Sequence, residues 1–132
     1  MKVIPVSKAE KLKGKNYAIH RMVNPITVGS EKLMSFFVNI DAGGEIPEHG
    51  HGPAEAMLHF LQGQALVVVD GEERLINPGL EVHVPIGSSI GLRNSGQTKL
   101  KFIVVLSPPI DVSVCPACGI EIKQSVSGEV AS

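Results

Sequence analysis

Between Gln64 and Ile76 the chain reads Gln-Ala-Leu-Val-Val-Val, then Asp70-Gly71, then Glu-Glu-Arg-Leu-Ile, and this run limits the fold more than any other. Asp-Gly between two strand-like runs favours a two-residue hairpin turn, because both central positions of that turn need positive φ. The same rhythm recurs on either side. Tyr17 to Val23 and Leu33 to Ile40 read as strands that stop at Asn24-Pro25 and at Asp41-Ala42-Gly43-Gly44. Asn77-Pro78-Gly79 and Pro85-Ile86-Gly87 are turns flanking a short strand from Glu81 to Val84. Leu100 to Leu106 is a mostly apolar run rich in β-branched residues, as expected of a buried closing strand. No stretch carries a capped apolar period of 3.6 residues. Short strands at regular spacing, divided by Gly and Pro, fold as a sandwich or barrel.

A chain of 132 residues has room for one domain and one core. Residues 1–16, polar and Lys-rich, are expected to lie over the barrel as an arm with one short strand. The barrel and arm take residues 1–114, and residues 115–132 form a C-terminal tail with a Cys-x-x-Cys knuckle. A formal net charge of -1 offers no basic field for a phosphate backbone, so nucleic acid is not an expected partner. No apolar run approaches the ~20 residues needed to cross a bilayer. The first fifteen residues lack the apolar h-region of a secretory signal, and the expected location is cytoplasmic.

Residues able to carry chemistry concentrate between Gly43 and Glu55. His49 and His51, at i and i+2 on an extended chain, point to one face about 6.6 Å apart along the strand. Both imidazoles can converge on one ion, and Glu55 can reach the same ion after a turn. Two His and a carboxylate suit Fe, Mn, Ni or Zn as a divalent transition metal, with positions left for substrate or water. The bland alternative is a surface turn whose histidines are merely polar.

These residues also carry a resemblance to the cupin superfamily. Gly43, His49, His51 and Gly63 match its first motif, G-x5-H-x-H-x(3,4)-E-x6-G, and Gly79, Pro85, Gly87 and Asn94 match its second, G-x5-P-x-G-x2-H-x3-N. The resemblance spans roughly residues 30–106 and implies an all-β fold, a double-stranded β-helix or jelly-roll barrel. It departs at two ligand positions. The second-motif histidine falls on Ile90, and counting back from Gly63 puts the glutamate at Ala56 rather than Glu55. A one-residue bulge between Glu55 and Gly63 would reconcile the two counts and turn Glu55 inward. The expected centre is therefore His49, His51 and Glu55, with Ile90 as an apolar far wall. His59 shares strand parity with Glu55 and is a candidate pocket residue. His83, beside a turn, is expected to pack, and His20 could line the barrel. Arg93 and Gln64 are weaker candidates for fixing polar groups of a ligand.

Cys115-Pro116-Ala117-Cys118-Gly119 resembles one knuckle of a zinc ribbon. Cys115 and Cys118 form a second candidate metal site if a dimer supplies four sulfurs, or a redox dithiol, or a plain turn with reduced thiols. For function, the leading expectation is a metal-dependent enzyme acting on a small organic molecule, as a dioxygenase, isomerase or lyase. The alternative is a non-catalytic cupin that binds or senses a small-molecule ligand. A homodimer paired through sheet edges is expected in either case.

Overall fold

The computed structural model describes residues 1–110. Ten strands run through them: β1 (Glu10–Lys13), β2 (Tyr17–Arg21), β3 (Met34–Ile40), β4 (Glu45–Gly50), β5 (Glu55–Gln62), β6 (Ala65–Val69), β7 (Glu72–Ile76), β8 (Glu81–Val84), β9 (Ser89–Asn94) and β10 (Leu100–Ser107). Six form one antiparallel sheet in the order β1-β2-β3-β10-β5-β8, and four form the other in the order β4-β9-β6-β7. The chain is thus all-β, with two sheets packed face to face.

The hairpin signal is realised at the atomic level. Asp70 has φ of 49° and Gly71 of 85°, and Val69 pairs with Glu72 directly across the turn. The Asn24-Pro25 stop has more structure than the sequence suggests. Asn24 caps a one-turn helix, α1 (Pro25–Val28), accepting from the Ile26 and Thr27 amides at 2.8 and 2.9 Å. Four residues are too few to print a helical period, so only the cap chemistry could have announced it. A single 3-10 turn, Val6–Lys8, precedes β1.

Alternation decides which side chains meet. Along β3 the residues Met34, Phe36, Val38 and Ile40 are buried and the intervening ones are half-buried, and Leu100, Phe102, Val104 and Leu106 repeat that pattern on β10. Register brings them together: Phe102 stands opposite Val38 on one side and Phe60 on the other, and its ring centroid lies 5.1 Å from that of Phe60. The four-stranded sheet answers with Val67, Ile90 and Leu92. Inner-face residues of both sheets interdigitate into one core, as a two-layer β fold requires.

Asn94, from the second cupin-like motif, ties the layers. Its side-chain amide donates to the carbonyls of Ile40 at 2.9 Å and Thr98 at 2.8 Å, and its Oδ1 accepts from the Gly96 amide at 3.0 Å. Its backbone N–H donates to the Gly44 carbonyl at 2.9 Å. A buried amide with both ends satisfied is a net stabiliser, and this one spans from β9 to the end of β3.

Candidate functional site

β4 ends the four-stranded sheet and delivers the two histidines. His49 lies on β4 opposite Ile90 of β9, and His51 begins the turn into β5, its carbonyl accepting from the Ala54 amide at 3.1 Å. Their rings meet edge to face, 4.8 Å between centroids and 87° between planes. Both line a void of about 40 Å³ between the sheets. Ile19, Phe36, Val38, Phe102, Val104 and Leu58 wall it on the six-stranded side. Ile46, Ile90 and Leu92 wall it on the other. Among the described residues the two imidazoles are the only polar side chains facing this space.

Such surroundings disfavour charge. Burial pulls the pKa of His49 below its ordinary value, partly opposed by the Pro47 carbonyl, which the ring Nδ1 meets at 2.8 Å. Burial, then the charge on His49, lower that of His51 to about 4, in keeping with a residue only 4% exposed. At neutral pH both rings are uncharged. The carbonyl of Pro47 can only accept, so Nδ1 of His49 carries the ring proton and Nε2 is the ring's acceptor.

Glu55 does not join the pair, which corrects the expected ligand set. It opens β5 on the outer face, where its carboxylate meets Nε2 of His83 at 2.6 Å, while Ala56 takes the inner face. β5 does carry an irregularity before Gly63, but it falls at Leu61, between the Phe60–Phe102 and Gln62–Lys101 pairs. An extra residue past Phe60 leaves the parity of Glu55 unchanged. His59 follows the same parity outward and bonds Glu81 at 3.0 Å, so it is not a pocket residue. His20 also faces outward, 5.9 Å from the Phe37 ring, and its neighbour Ile19 lines the void instead. His83 is exposed rather than packed. Ile90 lines the void and is 2% exposed. Cys115 and Cys118 lie outside the described residues.

The donor set does not fit a resident transition metal. Two neutral imidazoles supply two nitrogens, one short of a catalytic zinc site and two short of a structural one. Ala56 and Ile90 fill the positions where the resemblance places the remaining ligands. Among the described residues, no three His, Cys, Asp or Glu side chains are grouped to hold an ion.

The sequence reading missed the hydrocarbon lining, which period-2 alternation along β3, β5 and β10 encodes. It also missed a bulge in β4, for which Pro47 was a signal, since proline inside a strand marks an edge or a bulge. A second hollow of about 500 Å³ lies between β7 and β8, the end strands of the two sheets. The charged groups around it are engaged with one another or nearby: Arg74 with Glu72, Glu81 with His59, His83 with Glu55, and Asp70 with the Ser89 amide. No helix among the described residues is long and apolar enough to cross a membrane.

Comparison with known proteins agrees with this architecture. The polyketide synthase CurC of Streptomyces cyaneus is 24% identical over 107 residues, covering 81% of this chain and 70% of that protein. The structure of KdgF from Halomonas sp. matches with a TM-score of 0.74 at 18% identity, over 86% of this chain and 98% of that one. The polyketide cyclase RemF from Streptomyces resistomycificus matches with a TM-score of 0.69 at 19% identity, over 83% of each chain. A predicted oxalate decarboxylase from Thermotoga maritima matches with a TM-score of 0.70 at 18% identity, over 80% of this chain and 98% of that one. A family model described as the cupin domain matches residues 36–106, over half of the sequence and all of β4 to β9, and the chain belongs to the cupin family.

Proposed function

We propose that this cupin binds a small, uncharged, mostly apolar organic molecule inside its barrel, with His49 and His51 as the polar end of the site and no resident metal. The observation that carries the reading is the pair of neutral imidazoles, 4.8 Å apart, set in a void whose other lining side chains are all apolar. Apolar lining with a few convergent polar groups is the common make-up of small-molecule sites. A void of about 40 Å³ holds a few water-sized groups, so the ligand is small or inserts only one end. A dianion such as oxalate is disfavoured, because no cationic side chain lines the void to offset its desolvation.

A second reading, catalysis by proton transfer, is favoured by the fixed tautomer of His49. An acceptor nitrogen held next to a second neutral imidazole suits general acid–base work on a hydroxyl or an enolisable carbonyl. The polyketide names of two relatives put carbonyl-bearing compounds among the first to try.

The test uses protein purified without chelator or a metal column. Elemental analysis should find well below one equivalent of transition metal, and phenol or cyclohexanone should shift the His49 and His51 ring signals in NMR while oxalate does not. A stoichiometric metal that survives dialysis, or ring signals that answer to oxalate and to neither neutral probe, would sink the proposal.

A further inference from the structure

We infer that the outer face of the six-stranded sheet is where two copies of this chain meet, back to back, on a two-fold axis parallel to the strands. The occupant of the face is a second copy, and the inference is independent of what the barrel binds.

Register lines up one row across all six strands. Lys11 stands opposite His20, His20 opposite Phe37, Phe37 opposite Ile103, Ile103 opposite His59 and His59 opposite Glu81. Directly opposed residues share a face of the sheet. Ile19 and Leu58, the chain neighbours of His20 and His59, line the void inside, so this row points away from it. In the adjoining row Val105 stands between Ser35 and Met57. The middle of the outer face is thus Phe37, Ile103, Val105 and Met57, all half-buried, and no third layer of sheet or helix stands over them among the described residues. The arm before β1 meets this face at one corner, where the Val6 carbonyl lies beside the His20 ring.

The sheet edges are poor places for the same pairing. β1 and β8 have four residues each, β4 carries Pro47 and a bulge, and β7 begins Glu72-Glu73-Arg74. Short length, proline, bulges and charge are the devices that keep an edge from adding another strand. The centre of the outer face carries none of them. Its six strands, four to eight residues long, spread over roughly 600 Å² at about 4.8 Å between strands and about 3.4 Å per residue. Two such faces bury roughly 1,200 Å², the lower end for a specific complex, so association in the micromolar range is expected.

Charge sets the orientation. Lys11 ends the row on one side and Glu81 on the other, both exposed, about 24 Å apart across five strand spacings. An axis along the strands lays β1 of one copy over β8 of the other, so Lys11 meets the partner's Glu81, twice by symmetry. Long side chains span the offset that sheet twist leaves. An axis across the strands would set Lys11 on the partner's Lys11 and Glu81 on the partner's Glu81, and like charges oppose it. Glu81 already meets His59 at 3.0 Å, and its carboxylate has acceptor sites left for an ammonium. Lys101, one row beyond Ile103, has a stem long enough to carry its charge to the rim.

The experiment is sedimentation of the full chain and its variants between about 1 and 200 µM. Wild type should pass from monomer to dimer, and Ile103→Lys, which leaves the inner core untouched, should weaken the dimer by at least about tenfold. Lys11→Glu and Glu81→Lys should each weaken it about tenfold, and the double reversal should restore it to within about threefold. A carbodiimide, which joins an ammonium to a carboxylate without a spacer, should link Lys11 to Glu81; at about 24 Å within one chain, that link forms only between copies. A wild type that stays monomeric throughout overturns the inference, as does a dimer indifferent to Ile103→Lys. A dimer broken by Ile103→Lys but neither linked through Lys11 and Glu81 nor rescued by the double reversal supports the face and overturns the axis. If Ile103→Lys does not fold, the charge reversals, at exposed positions, and the link carry the same readout.

Discussion

His49 and Ile90 stand opposite each other across the β4–β9 ladder, with both side chains lining the same void. An imidazole at position 90 would add a third nitrogen beside the existing two. Ile90→His is therefore expected to turn the barrel into a stoichiometric Zn²⁺ or Ni²⁺ binder, while the wild type stays well below one equivalent. Elemental analysis of both proteins after dialysis decides. Equal and stoichiometric content in the two would show that the barrel already holds a complete ligand set.

Acid should weaken the fold through His51. Burial and the charge on His49 hold its folded pKa at about 4, whereas an unfolded chain returns it to about 6.5. Between those values the unfolded state binds more protons, so stability present above pH 6.5 is lost as the pH falls through 4. The shift corresponds to roughly 3 kcal/mol once the pH is below 4. Urea unfolding at several pH values should show the midpoint falling across that window, and His51→Leu should remove much of the slope. An equally steep slope in His51→Leu would assign the acid sensitivity to other groups.

Phe102 is both core and wall, ringed by Val38 and Phe60 on its sheet and facing the void. Phe102→Ala is expected to cost roughly 3–5 kcal/mol and to join the vacated volume to the void. The variant should then accept 1-naphthol, which the wild type excludes in favour of phenol. A variant as selective as wild type would mean that ligands bind elsewhere.

Glu55 makes the opposite prediction. With its carboxylate on His83 at the outer face, Glu55→Gln should change stability by no more than about 0.5 kcal/mol. It should also leave the ring signals of His49 and His51 where they are. A shift of those signals would return the carboxylate to the site.

The hairpin at Asp70-Gly71 was legible because its two positive φ values leave a short list of residues that can adopt them. The bounds read for β2, β3, β6, β7, β8 and β10 held to within two residues, since turn residues flank them, whereas β4, β5 and β9 were given no bounds, and Pro47 and Gly91 stand inside strands rather than ending them. Which face Glu55 takes was not legible. Counting from His51 favoured Glu55 and counting from Gly63 favoured Ala56, and each count assumes that no residue is extra. The extra residues occur at Pro47-Glu48 and at Leu61, and each is defined by the strand opposite, Gly91 in one case and the Lys101–Phe102 step in the other. A bulge is a property of two strands, and one strand's spacing cannot reveal it. The parity link between Glu55 and His59 did hold: both face the same way, and that way is outward.

Among the described residues the Asn94 side chain bonds main-chain atoms of Ile40, Gly96 and Thr98, and its backbone bonds those of Gly43 and Gly44. None of its partners reports what side chain occupies positions 49, 51, 56 or 90. The joint between the sheets is therefore blind to the chemistry between them. A ligating histidine at position 90 can give way to isoleucine, or return, without the barrel losing its gauge. For an engineer, position 90 is a socket into which different reactive groups can be plugged, and Asn94, four residues on, is the screw that should never be turned.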